Sequence, residues 1–296
     1  MVNKLQFKLK AVGCLFFALL LCILPLLTTV QAQPSFSGSI LIREEGSVEP
    51  SSAPIQRSGE TYTLLSGFTG NITIQKDNIV LDGAGFGVNS IVTGTETTIG
   101  VDLSFRNGVT VTNLQVSGFV QGIHLLNSTS CTIIGNNITD NIDGIRIDNA
   151  TNNSIIGNNV TANRHGVHPY QGNVFYHNNF VNSSDRDVFF DSPNYTDTWD
   201  YGYPSGGNYW SNYTSIDEKK GPSQTEAGSD GIGDSPQILS SNNTDGYPLM
   251  VPYVYGTQPT SQQTPIWIYV TIVVIALAAV IVAFFFLRKR RNLDKK

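Results

Sequence analysis

Cysteine is nearly absent from this chain: Cys14 and Cys22 lie in the apolar N-terminal run, which leaves Cys131 as the single thiol of all that follows. No disulfide framework can staple that part, so burial and hydrogen bonding must hold it. Methionine is as scarce, with Met1 and Met250 alone, so soft sulfur ligands are few. Basic charge is missing from the middle, where residues 33–265 carry 9 Lys and Arg against 22 Asp and Glu, a formal −13 that the whole-chain −5 conceals. Nothing there neutralises phosphates, which argues against nucleic acid as a partner and suits a solvated or cation-collecting surface.

Long apolar runs occur only at the two ends. Lys4, Lys8 and Lys10 precede an apolar run over 11–27 and a polar stretch closing on Ala32, the layout of a secretory signal peptide over 1–32. Residues 266–287 hold no charge and are long enough to cross a bilayer as a helix. The basic tail 288–296 that follows places itself in the cytoplasm and residues 33–265 outside. The expected protein is therefore a single-pass cell-membrane protein with an extracellular N-terminal part.

Between the ends the sequence repeats itself about every 22 residues. Val109–Leu125 aligns without gaps to Cys131–Ile147 and to Asn153–Pro169, and a shortened copy begins at Asn173. The copies stack four apolar columns: Val111, Ile133, Ile155, Phe175; Val116, Ile138, Val160, Phe180; Ile123, Ile145, Val167, Val188; and Leu125, Ile147, Pro169, Phe190. Apolar and polar residues alternate within short runs, the strand period of two. One repeat cannot bury its own face, so neighbours must stack. The fold expected is all-β: a right-handed parallel β-helix over 61–190, with an N-terminal cap over 33–60, an aromatic and Gly-rich capping module over 191–253, a linker over 254–265 and the C-terminal transmembrane helix. The Asn pairs at 136–137, 158–159 and 178–179 are expected at left-handed turns and in stacked amide ladders, with Asn141 and Asn163 repeating the device. Gly100, Gly122, Gly144 and Gly166 are expected where the backbone turns tightly.

The phrase from Lys76 to Gly85 (KDNIVLDGAG), the Gly-Ile-x-Leu strands and the Asn-Asn-(Ile/Val)-Thr turns resemble the NosD-type periplasmic copper-binding β-helix family, and within it the membrane-anchored NosD-like surface proteins of archaea. The stretches 199–213, 228–234 and 245–250 look like the module that closes the β-helix there. The resemblance covers roughly residues 38–253 and is specific for fold. It implies copper as a ligand, and His165, His168 and His177 are the residues left to bind it, since His124 and His168 lie two coils and roughly 10 Å apart.

The same residues read from the sequence alone allow other chemistry. His124, Arg146 and His168 share one outward column, and with Asp143 they form a candidate stripe for an extended glycan or peptide, or a solvated face of local Asp–Arg pairs. Asp230 and Asp234 bracket an acidic loop that is a candidate Ca²⁺ site or a simple turn. Asn127, Asn149 and Asn194 are loop sequons and the glycosylation candidates; Asn137 and Asn159, assigned to the ladder, are expected to be enclosed. Paired carboxylates for sugar hydrolysis and an Arg or Lys base beside Ca²⁺ for lyase chemistry do not converge anywhere in the sequence. The expected function is a non-catalytic, anchored surface protein binding glycan or another envelope component, with a copper-handling accessory and a polysaccharide lyase or hydrolase as alternatives.

Overall fold

A computed structural model describes residues 36–90 and 98–256, and every regular element in them is a strand. The expected signal peptide 1–32, residues 257–265 of the linker, the span 266–287 and the tail 288–296 lie outside the described residues. Among those described, no helix is long and apolar enough to cross a membrane.

The chain opens with β1 (Ser37–Ile42), β2 (Val48–Glu49), β3 (Ile55–Ser58), β4 (Thr61–Leu64), β5 (Phe68–Ile74), β6 (Val80–Asp82), β7 (Gly87–Asn89) and β8 (Ile99–Asp102). Three strands then recur in each coil. The first set is β9 (Thr110–Thr112), β10 (Gln115–Ser117) and β11 (Gln121–Leu126), and the second is β12 (Thr132–Ile134), β13 (Asn137–Thr139) and β14 (Asp143–Asp148). The third is β15 (Ser154–Ile156), β16 (Asn159–Thr161) and β17 (His165–His168), and the fourth is β18 (Val174–Tyr176), β19 (Asn179–Val181) and β20 (Arg186–Val188). Each strand pairs in parallel with its counterpart one coil on, giving three faces that run β4-β6-β9-β12-β15-β18, β7-β10-β13-β16-β19 and β8-β11-β14-β17-β20. The first half of β5 lies beside β7 and its second half beside β8, joining the last two faces. The molecule is a parallel β-helix. At its N-terminal end β1 adds to β5 in parallel, while β3 closes an antiparallel hairpin with β4.

Three-residue strands with one inward side chain are the reason the repeat is so legible. Thr110 pairs with Thr132 and Thr132 with Ser154, a 22-residue step, and Ser154 then pairs with Val174 across a coil two residues shorter. Val111, Ile133, Ile155 and Phe175 stack in register and are fully buried, as are Val116, Ile138, Val160 and Phe180. Ile123, Ile145, Val167 and Val188 form the third column, and Leu125 lies on Ile147 in the fourth. Pro169 and Phe190 fall just beyond β17 and β20.

Two expectations about the turns are corrected. Left-handed backbone is found at Asn113, Gly135, Gly157 and His177 on one corner and at Asp140, Ala162 and Asn182 on another, not at the Asn pairs. Within each pair the first Asn points inward at the turn and the second opens the next strand facing out, because strand side chains alternate. Asn136, Asn158 and Asn178 are therefore the buried ladder, whereas Asn137 and Asn159 are exposed. The Gly column is likewise not a set of turns: Gly122 and Gly144 sit inside β11 and β14 with ordinary backbone, where a Cβ on Gly144 would come within 2.6 Å of the Gly166 carbonyl. Close approach of successive coils, rather than left-handed backbone, requires glycine there.

Inside the coil the amides form three ladders. Asn158 Oδ1 accepts from the Asn136 N–H (2.9 Å), Asn178 Oδ1 from the Asn158 N–H (3.1 Å) and Asn208 Oδ1 from the Asn178 N–H (3.1 Å). Asn141 and Asn163 make the second ladder, and Asn153 with Asn173 a third that the sequence reading did not anticipate. Two ladders end on carboxylates: Asp245 accepts from the Asn208 N–H (2.7 Å) and Asp197 from the Asn173 N–H (2.8 Å).

The inward columns also continue past Asp191, where the repeat had seemed to stop. Trp199 stacks on Phe175 at 4.3 Å and Trp210 on Phe180 at 4.5 Å. Strand β21 (Tyr209–Trp210) pairs with β19, so the step from Phe180 to Trp210 spans 30 residues in place of 22.

Candidate functional site

The outer face of β8, β11, β14 and β17 gathers most of the polar side chains singled out in the sequence. Period-two alternation turns Ile123 and Leu125 inward and His124 outward, and the register sets Asp102, His124, Arg146 and His168 in one row. Gln121, Asp143 and His165 form the neighbouring row. A solvated face of local Asp–Arg pairs was one expectation for this column; the pairs form, Arg146 with Asp143 and Asp148, but His124, Asp143, His165 and His168 are all buried. Phe189 closes over the last coil, its ring 4.7 Å from that of His165 and 4.6 Å from that of His168.

Five carboxylates surround one guanidinium and three imidazoles. Arg146 Nε and Nη2 donate to Asp148 at 2.8 and 3.1 Å, and Arg146 Nη1 donates to Asp143 at 3.1 Å. His165 lies between Asp143 (Nδ1 to Oδ1, 2.7 Å) and Asp185 (Nε2 to Oδ2, 3.2 Å). His124 Nε2 is 3.1 Å from Asp148, while its Nδ1 is 4.0 Å from Asp102. His168 Nε2 stands 3.4 Å from Asp191. Burial works to raise the Asp148 carboxyl, but the bonds from His124 and Arg146 outweigh it and bring it down to about 2. Burial and then the nearby Arg146 charge also hold the His168 imidazolium below its ordinary value. Among the described residues, three buried atoms in this network make no hydrogen bond: Gln121 Oε1, His124 Nδ1 and His168 Nε2.

The copper set does not assemble in this arrangement. His165 and His168 stack with ring centroids 6.0 Å apart. His177 instead occupies a left-handed corner, donates from Nε2 to the Ser205 carbonyl (2.8 Å) and stacks on Tyr253. Both nitrogens of His165 face carboxylates, and the unpartnered nitrogens of His124 and His168 are two coils apart with Arg146 between them. Cys131 is buried with its thiol pushed up by burial, and it donates to the Arg106 and Thr129 carbonyls. Among the described residues no three His, Cys, Asp or Glu are set as ligands for one ion. The donor set therefore does not fit a copper centre.

The acidic loop is also accounted for by its own backbone. Asp230 accepts from the Gly221 and Ile232 N–H groups and the Gln224 amide, Asp234 from the Glu218 and Lys219 N–H groups. Asn127, Asn149 and Asn194 are exposed. Asp197 was missed as a chemically distinctive residue, and Asp245, a possible extra oxygen ligand for the acidic loop on sequence grounds, instead ends a ladder; burial lifts both carboxyls to about 7. Little local marks them: the ladder reaches them from 24 and 37 residues away, and among the described residues the only near-sequence bond is the one Asp245 accepts from the Tyr247 N–H.

With this geometry in place, comparison with known proteins adds one match: the family model described as periplasmic copper-binding protein (NosD) matches residues 51–215. No curated protein and no solved structure matches.

Proposed function

Because the chain belongs to the NosD family of parallel β-helix proteins, we propose that it is a non-catalytic surface protein. Residues 1–32 direct its export, 266–287 anchor it, and the β-helix binds a glycan or other envelope component. The observation that carries the binding reading is the set of buried atoms without a hydrogen bond on this face, Gln121 Oε1, His124 Nδ1 and His168 Nε2, in an otherwise hydrogen-bonded outer network. A buried polar atom without a partner costs free energy that a bound hydroxyl or amide recovers. Carboxylates outnumber fixed cations there, so neutral or amino sugars are favoured over uronates. In this reading the segment 191–253 closes the end of the coil through Trp199 and Trp210, and Asn127, Asn149 and Asn194 are glycosylated where the host attaches N-glycans.

The test is calorimetric titration of the purified protein with polysaccharide isolated from its own envelope. Gln121→Ala and His124→Ala should each weaken binding about fivefold to tenfold, as expected for one buried hydrogen bond. Binding that both variants leave unchanged would place the ligand elsewhere. A second reading, copper handling, rests on the family description alone. Asp230 and Asp234 remain the place to look for Ca²⁺, read by a Ca²⁺-dependent rise in melting temperature that Asp230→Asn removes.

A further inference from the structure

We infer that the corner between the β9 and β10 faces carries a separate saccharide subsite that takes a single neutral pyranose ring. The corner is a column of left-handed residues, Asn113, Gly135, Gly157 and His177, one per coil. The end of the folded chain runs back along it. Leu249 lies beside Tyr209, Tyr253 stacks on His177 at 4.0 Å and exchanges hydrogen bonds with Asn179, and Tyr255 lies against Gly157 and Gly135. The two glycines expose flat backbone, and Tyr255 fits because they do: a Cβ on Gly157 would meet its ring at 2.6 Å. One coil further on, the same groove opens into a cavity of about 410 Å³ that shares Gly135 with the Tyr255 seat.

The lining of that cavity identifies the ligand class. Its polar groups are one carboxylate, Asp82, and three amides, Asn113, Gln115 and Asn137, with flat backbone at Ala84–Gly85 and no cationic side chain. Two are held in place beforehand: Asp82 Oδ1 accepts from Asn113 Nδ2 (3.2 Å) and from the Ala84 N–H (2.9 Å), and Gln115 Nε2 donates to the Gly85 carbonyl (2.7 Å). Carboxylate and amide groups around a floor of Ala84, Gly85 and Gly135, with the Tyr255 ring seated beside it on Gly135, suit sugar hydroxyls and a C–H face. With no cation to pair an acid group, uronic and sialic acids are disfavoured. The site lies on a different corner from the His124 row and does not depend on it.

The experiment uses the full-length protein in detergent and a panel of methyl glycosides of glucose, galactose, mannose, N-acetylglucosamine and glucuronic acid, read by saturation-transfer NMR and titration. At least one neutral glycoside should bind, glucuronide should not, and Gln115→Ala with Asn137→Ala should weaken binding about tenfold, while Glu218→Gln, an exposed residue outside both sites, leaves it unchanged. Absence of binding, binding unaffected by the Gln115/Asn137 change, or a preference for glucuronide overturns the inference. So does a glycan found on Asn137 by mass spectrometry, or binding that appears only after residues 257–264 are replaced by a Gly-Ser stretch. A loss on His124→Ala alone would locate sugar in the outer network instead, leaving the proposed function standing and this subsite refuted.

Discussion

Asn158 and Asn159 are adjacent and chemically identical, yet the fold gives them opposite roles. Asn158 is fully buried, accepts from the Asn136 N–H, and donates to the Ile133 carbonyl and to Asn178; Asn159 is exposed and accepts one bond at the surface, from Asn179 Nδ2. Asn158→Ala should cost on the order of 3 kcal/mol or more in urea unfolding, because it orphans a buried amide and its neighbours, whereas Asn159→Ala should change stability by less than about 0.5 kcal/mol. Equal effects would mean the ladder is wrongly placed. Gly144→Ala offers a second residue-scale check: with the Gly166 carbonyl 2.6 Å from the added Cβ, a loss of about 1 to 3 kcal/mol is expected. The sequence exposed the presence of a ladder through the repeated Asn-Asn pairs, but not which member turns inward. That choice depends on where the corner ends and the strand begins, a difference of one residue that period-two alternation converts into the opposite face.

The strands themselves were legible because each coil repeats its apolar columns at a fixed step, and the described columns pair as aligned up to Phe180 and Val188. The last coil was not, since Trp210 follows Phe180 by 30 residues and Asp245 replaces the next Asn of its ladder. Those ladder ends give the element a pH dependence. Asp197 and Asp245 have folded-state values near 7 against an ordinary carboxylate value of 3.8, both raised by burial. A raised value means that the folded state binds the proton more tightly, so this contribution is fully present below about pH 4, declines as pH rises toward 7 and is flat above. The full effect is roughly 4 kcal/mol per group. Tryptophan fluorescence of Trp199 and Trp210 should therefore show the aromatic end unfolding at higher urea at pH 5 than at pH 8, and Asp197→Asn should roughly halve that difference, leaving the Asp245 share. A midpoint independent of pH between 5 and 8 would contradict it. The opposite limb belongs to the outer network: Asp148, lowered to about 2, contributes stability above its ordinary value that is lost as pH falls through 2.

At the scale of the whole molecule, the sequence made the β-helix plain and brought His124, Asp143, Arg146 and His168 correctly to one face. Their burial was hidden because Phe189 and Asp191, which close over and pair with that face, lie at the irregular end of the fourth coil. His177 was grouped with His165 and His168 by sequence proximity, yet the corner geometry sends it to another side, against Tyr253 and Ser205. In the proposed reading these imidazoles serve carboxylates and packing inside a surface-binding β-helix, and not a copper centre. The most direct test of that reading is elemental analysis and Cu⁺ and Cu²⁺ titration of the purified full-length protein beside a His165→Ala/His168→Ala/His177→Ala variant. The expected result is no stoichiometric copper and the same weak uptake in both proteins; one equivalent of copper that disappears in the variant would contradict it.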